Sequence, residues 1–257
     1  MIVWGKKLVY RKLGYVVDFC RLCREVRTFE LQRVGLAGHI YFISLAQGVL
    51  VEHRRRCSTC GTDFVATPEI YARASTHDGP LRELLKLTFP DLASYHAERL
   101  ALEKAIRDPF AKISQENRQA LLREPFKLLA HMAEERFQGS QIDAESIAFF
   151  LAALLVGGAV GAGLVSVLPK YAIEIWMSVL FSAAIATWIL SVWSRRRFIR
   201  KRILPPLLSA LHPLKPTREE ITAVLKDVKG LGLSIGSQVK AESVMIGLKA
   251  YVAPKVT

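Results

Sequence analysis

Beyond residue 60 the sequence has no cysteine, and up to it only four, in two close pairs. That distribution excludes a disulfide-stapled secreted scaffold and suits thiols kept in a reducing compartment. No His-Glu-x-x-His metalloprotease sequence and no phosphate-cradling glycine loop occurs, and no nucleophile is spaced with a base. The motifs therefore point away from an enzyme. The opening MIVWGKK places its basic residues after a five-residue start with no long apolar stretch behind them, so no signal peptide is expected. Charge itself is missing from Ile147 to Leu168, a run of 22 residues.

That uncharged run is long enough, at about 1.5 Å per residue, to cross a hydrocarbon core of about 30 Å. Its twelve Ile, Leu, Val and Phe side chains favour insertion by roughly 4–7 kcal/mol. Pro169-Lys170 interrupts it, and Tyr171 to Trp193 follows with Glu174 as its only charge. The pair reads as a transmembrane helical hairpin (147–168 and 171–193). Within it Gly157-x-x-x-Gly161 gives a small-residue face that admits a close helix neighbour, either the second helix of the hairpin or a second copy of the chain. Glu174, just after the turn, reads as an interfacial residue reaching water, with an intramembrane proton or ion site as the sharper alternative.

The net charge of +13 is unevenly spread: +6 over residues 1–66, −2 over 67–146, zero over 147–194 and +9 over 195–257. Arg195, Arg196, Arg197, Arg200, Lys201 and Arg202 follow the second apolar run closely, whereas the loop between the runs has only Lys170. By the charge-bias rule the basic end stays cytoplasmic, and two spans put the cysteine region on the same side. These six side chains are the expected contacts to anionic lipid headgroups, with nucleic acid as the alternative anion.

Cys20-Arg-Leu-Cys23 and Cys57-Ser-Thr-Cys60 carry the strongest chemical signal. A two-residue spacer lets both thiolates of one tight turn reach one ion, and two such turns complete a tetrahedral shell. Gly61 suits a turn that needs a positive φ. Arg21, Arg24 and Arg54 to Arg56 stand beside the ligands and would offset the negative charge of a tetrathiolate centre. Four thiolates leave no open position, so the ion expected is structural Zn2+ and not a catalytic metal. His39 and His53 read as ordinary residues of the same unit.

The stretch MIVWG, then Phe19-Cys20-Arg-Leu-Cys23, the apolar run His39–Leu45 and Cys57-Ser-Thr-Cys60-Gly61-Thr-Asp-Phe64 resembles the small bacterial zinc-ribbon domains. The resemblance covers the first quarter of the chain. It implies short strands around two cysteine knuckles, with Cys20, Cys23, Cys57 and Cys60 as ligands, and it implies no reaction. Arg21 and Arg24 stand where that family commonly has proline and glycine.

Residues 67–146 read as helices opened or broken by Pro80, Pro90, Pro109 and Pro125, with Gly139-Ser140 before the apolar hairpin. After Pro205-Pro206, Thr217-Arg-Glu-Glu220 is a capping box opening a helix that bears Ile221, Val224, Leu225 and Val228. His77, His96 and His131 stand alone. The expectation is a mainly α membrane protein in four parts. They are a small β zinc ribbon (1–66), a cytosolic helical segment (67–146), the two-helix hairpin (147–193) and a basic C-terminal helical segment (194–257). It would sit in the cytoplasmic membrane with both termini inside, as a non-enzymatic module recruiting a protein partner. A membrane-tethered nucleic-acid binder and a small oligomeric channel or transporter subunit are the alternatives.

Overall fold

Val, Tyr and Phe recur through the first 65 residues, and runs of such side chains favour extended backbone. The computed structural model describes residues 4–40, 43–44, 46–108, 113–138 and 144–251. The described residues between 4 and 65 form one antiparallel sheet of five strands: β1 (Trp4–Cys20), β2 (Glu25–Ile40), β3 (Ile43–Ser44), β4 (Val49–Cys57) and β5 (Asp63–Val65). The order is β1-β2-β4-β5, with β3 on the end of β2. Parts of the expected first strand (1–3), of the run from His39 (41, 42 and 45) and of the boundary before the hairpin (139–143) lie outside the described residues, as does Pro109.

Gly14 interrupts the β-forming residues of β1, yet the strand continues through it. The β1–β2 register slips between Lys12 and Gly14, leaving a bulge. Gly14 has φ +150°, and a Cβ there would stand 2.5 Å from the Ser75 carbonyl oxygen. Tyr15 and Ser75 exchange backbone hydrogen bonds of 2.7 and 2.9 Å beside that close approach. Beyond the bulge, Val16 to Cys20 are all buried, so this end of the sheet is covered on both faces. The other end is open, with Val49 77 % and Tyr10 50 % exposed.

Helices cover the buried end. They are α1 (Leu81–Thr88), α2 (Leu92–Tyr95), α3 (Ala97–Arg107), α4 (Gln115–Gln138), α7 (Leu204–Leu211), α8 (Arg218–Gly230), α9 (Ile235–Gln238) and α10 (Ala241–Ala250). α4 packs on α7, α8 and α9 with its Phe126, Leu129 and Ala133 fully buried, and one contiguous core runs from Val16 to Val244. Pro125 is taken up inside α4. The helical stretch after Pro90 breaks at His96, which leaves helical geometry between α2 and α3. The capping box forms, with Thr217 Oγ1 accepting from the Glu220 N–H at 3.2 Å and Glu220 Oε2 from the Thr217 N–H at 2.8 Å.

The apolar runs form α5 (Ala144–Val167) and α6 (Ala172–Phe198) around a turn at Pro169–Tyr171. They pack on each other where glycine leaves room: a Cβ on Gly157 would lie 3.3 Å, and one on Gly161 3.4 Å, from a Val179 methyl. Pro205 and Pro206 fall in the first turn of α7. A π turn (Ile199–Ile203) carries α6 into α7.

Two expectations are corrected here. The fold is not a mainly α membrane protein with a small ribbon, because the bulge lets short β runs merge into a long-stranded five-strand sheet that shares its core with the helices. A two-span anchor in the cytoplasmic membrane is not supported either. Among the described residues one helical stretch, Phe150–Val167 with mean hydropathy 2.2, is long and apolar enough to cross a membrane, by length and composition alone. α6 has Glu174 exposed in its first turn, and several of its side chains lie outside the described residues. One such helix does not establish a membrane, and it removes the basis for placing both ends of the chain on one side.

Gly14→Ala is expected to destabilise the protein by about 1–3 kcal/mol, since a side chain there meets a carbonyl oxygen in a backbone region that L-residues avoid. Denaturant titration measures this, and an unchanged midpoint would refute the close approach.

Candidate metal centre

The antiparallel register brings the two cysteine pairs together. Cys20 ends β1 and the turn to β2 carries Cys23; Cys57 ends β4 and the turn to β5 carries Cys60. Phe29 of β2 stands opposite Cys57, and the Ser58 N–H donates to the Thr28 carbonyl at 3.0 Å. The turns therefore lie side by side at one end of the sheet. All four sulfurs fall within 4.8 Å of one another. Cys20 and Cys60 are 3.8 Å apart and Cys23 and Cys57 3.9 Å. A tetrahedron with Zn–S bonds of about 2.3 Å has edges of about 3.8 Å, so the donor set fits a metal ion such as zinc. His39 and His53 are not in this cluster.

Each turn closes in the same way. The Arg24 N–H donates to the Cys20 carbonyl at 2.7 Å, and the Gly61 N–H to the Cys57 carbonyl at 2.9 Å. The Cys23 N–H points at the Cys20 sulfur, 3.4 Å away. Both turns need a left-handed residue after the second cysteine. Gly61 supplies it at φ +66° without steric cost, and Arg24 adopts it at φ +58°.

Without a cation the four thiols cannot behave alike. Hydrogen bonding, first with Cys23 and then with Cys57 and Cys60, joins burial in pushing Cys20 up. Cys57 and Cys60 are held low, each first by its hydrogen bond with Cys20. Cys23 is drawn down by Cys20 but raised overall through Cys57, Cys60 and burial. A divalent cation at the centre removes this conflict, because every sulfur can then be a thiolate.

Two buried ion pairs hold the turns against the helices. Arg24, 2 % exposed, donates from Nε and Nη2 to both Glu103 oxygens on α3 at 2.7 and 3.1 Å, and from Nη1 to the Ala210 carbonyl on α7 at 3.0 Å. Two residues before Cys20, Asp18 is fully buried. One of its oxygens accepts from Arg55 and from the Tyr71 hydroxyl at 2.7 Å; the other takes His96 Nε2 at 2.8 Å and the Phe19 N–H at 2.6 Å. Burial works against the charge on Arg55, but Asp18 and then Tyr71 keep it protonated. Burial likewise raises the Tyr71 hydroxyl.

Spacing brought the four cysteines to notice, whereas Glu103, Tyr71, Asp18 and His96 carried no motif. An acid between Val17 and Phe19 in a β-rich run was the one available signal. The remaining candidates lie elsewhere: Gly157 and Gly161 face α6. Arg196, Arg197, Arg200, Lys201 and Arg202 are exposed at the end of α6 and on the π turn, and the Arg195 side chain lies outside the described residues. Glu174 is exposed in the first turn of α6. Searches against family models, curated proteins and solved structures return no match.

Arg24→Ala leaves Glu103 buried with its bidentate partner gone, and a loss of about 3–5 kcal/mol is expected. Arg24→Gly loses the same pair but relieves the left-handed backbone, so it is expected to be milder by about 1 kcal/mol. Chemical denaturation of the two variants checks the order; a glycine variant no more stable than the alanine one would contradict it.

Proposed function

We propose that the chain is a zinc-built, non-enzymatic protein-interaction module. The observation that carries this reading is the placement of a closed four-sulfur site at the root of a long edge strand. Four protein ligands leave no position on the ion for water or substrate, which supports a structural zinc. The knuckle arrangement also supports the zinc-ribbon likeness, with Arg24 in the glycine position. The buried ties to Glu103 and Asp18 fix the root, so the outer part of β1 is presented by a rigid base.

β1 stands at the edge of the sheet. An edge strand offers backbone donors and acceptors to an added strand. Residues 1–17 contain no acid, and Lys6, Lys7, Arg11 and Lys12 lie along this stretch. The complementary partner is a protein with an extended acidic segment that pairs along β1. The arginines at the knuckles are poor candidates for nucleic acid, because Arg24, Arg54 and Arg55 are engaged with Glu103, Glu52 and Asp18.

Two measurements test the reading. Elemental analysis of the purified chain is expected to give one zinc per molecule, lost in Cys20→Ser; a zinc-free chain of unchanged stability would remove the metal from the proposal. A photo-crosslinking residue at Tyr10 is expected to trap a discrete protein in cells, whereas one at exposed Lys226 does not. The adduct should fall about tenfold in Lys6→Glu/Arg11→Glu, the scale of one charge-assisted hydrogen bond. Equal labelling from positions 10 and 226, or an adduct indifferent to charge reversal, would overturn the docking edge.

A further inference from the structure

Between α3 and α4, closed at one side by Arg21 of the first knuckle, lies a cavity of about 400 Å³. That is within the range of small-molecule sites. Its walls are dominated by positive charge: Arg21, Arg99, Arg123 and Lys127 face a single carboxylate, Glu124. Glu124 bridges two of them, at 3.5 Å from Arg21 Nη1 and 2.7 Å from Arg99 Nη1. Arg99 also reaches Glu103, whose charge Arg24 already balances. Arg123 pairs with Asp227 of α8 through Nη2. Counting Asp227 with Glu124, two positive charges remain uncompensated.

Two further details single the cavity out. Arg123, which lines the cavity, has no hydrogen-bond partner for its Nε among the described residues. Lys127 is exposed and forms no ion pair among the described residues. Leu102, Leu121 and Leu128 supply an apolar floor between these polar groups.

We infer that this cavity binds a phosphate ester, its phosphoryl group held by Arg123, Lys127 and Arg99 and its organic part resting on the leucine floor. Guanidinium forks match two phosphoryl oxygens at once, and an ammonium adds a compact charge. Inorganic phosphate can satisfy the cations but not the floor, so an ester binds more tightly than the free ion. The ester comes either from solution or from a phospholipid headgroup. The site is independent of the docking edge on β1, and it stands if that edge fails.

The test is calorimetric titration of the full chain with phenyl phosphate, inorganic phosphate and benzyl alcohol. A parallel arm measures sedimentation with phosphatidylcholine vesicles with and without phosphatidic acid. Phenyl phosphate is expected to bind more tightly than phosphate, and benzyl alcohol not at all. Arg123→Gln and Lys127→Ala are each expected to weaken binding about tenfold, while Lys86→Ala on α1 leaves it unchanged. Lys127→Ala removes an exposed side chain with no ion pair among the described residues, so the variant is expected to keep the wild-type unfolding midpoint while losing binding. Variant-sensitive binding in the titration assigns a soluble ester, and variant-sensitive binding to the vesicles alone assigns a headgroup. Absence of binding in both arms, or binding equal in wild type and both variants, would overturn the inference.

Discussion

The ion pair between Arg24 and Glu103 is the constraint on which the rest of the structure leans. It sits at the one backbone position where a cysteine turn asks for glycine and the chain supplies arginine. Left-handed backbone is a cost for any residue with a Cβ. Desolvating a guanidinium and a carboxylate is a larger one. Both are offset because the planar fork finds a carboxylate and a carbonyl in matching geometry, on two helices far apart in sequence. The pair thereby joins β1, β2, α3 and α7 at the point where the sulfurs gather.

Asp18 makes a second tie one turn of strand away. A carboxylate with no solvent contact needs several donors, and Arg55, Tyr71, His96 and the Phe19 amide provide them from β4, the segment before α1, the α2–α3 junction and β1 itself. The break between α2 and α3 follows from this demand, since His96 leaves helical geometry where its ring meets Asp18. The polar contacts thus decide where the helices stop, and the apolar core fills in around them. Rigidity is concentrated at the cysteine end of the sheet, and the opposite end is left to solvent.

Short-range signals read well in the sequence. The CxxC pairs, the positive φ at Gly61 and the capping box at Thr217 each depend on a few neighbouring residues, and the structure realises them as local geometry. Signals that depend on the partner across the fold did not read. Gly14 looks like a strand end until Ser75 is placed beside it, and Pro125 looks like a break until α4 is packed. His96 and Glu103 are unremarkable letters until Asp18 and Arg24 arrive from residues about eighty positions earlier. The apolar runs misled for a related reason. Length and hydropathy describe a helix by itself, and the merging of the flanking segments into one core lies outside what they encode.

The π turn at Ile199–Ile203 has a geometric outcome of its own. One added residue in a turn advances the helix by about 100°, and the N–H of Leu204 reaches back five residues to Ile199. Pro205 and Pro206 cannot donate backbone hydrogen bonds, so the ordinary spacing is not re-imposed at once. The wide coil acts as a phase shifter. It lets a rod whose arginines face outward hand over, without a loop, to one whose Leu207 and Leu211 point into the interior.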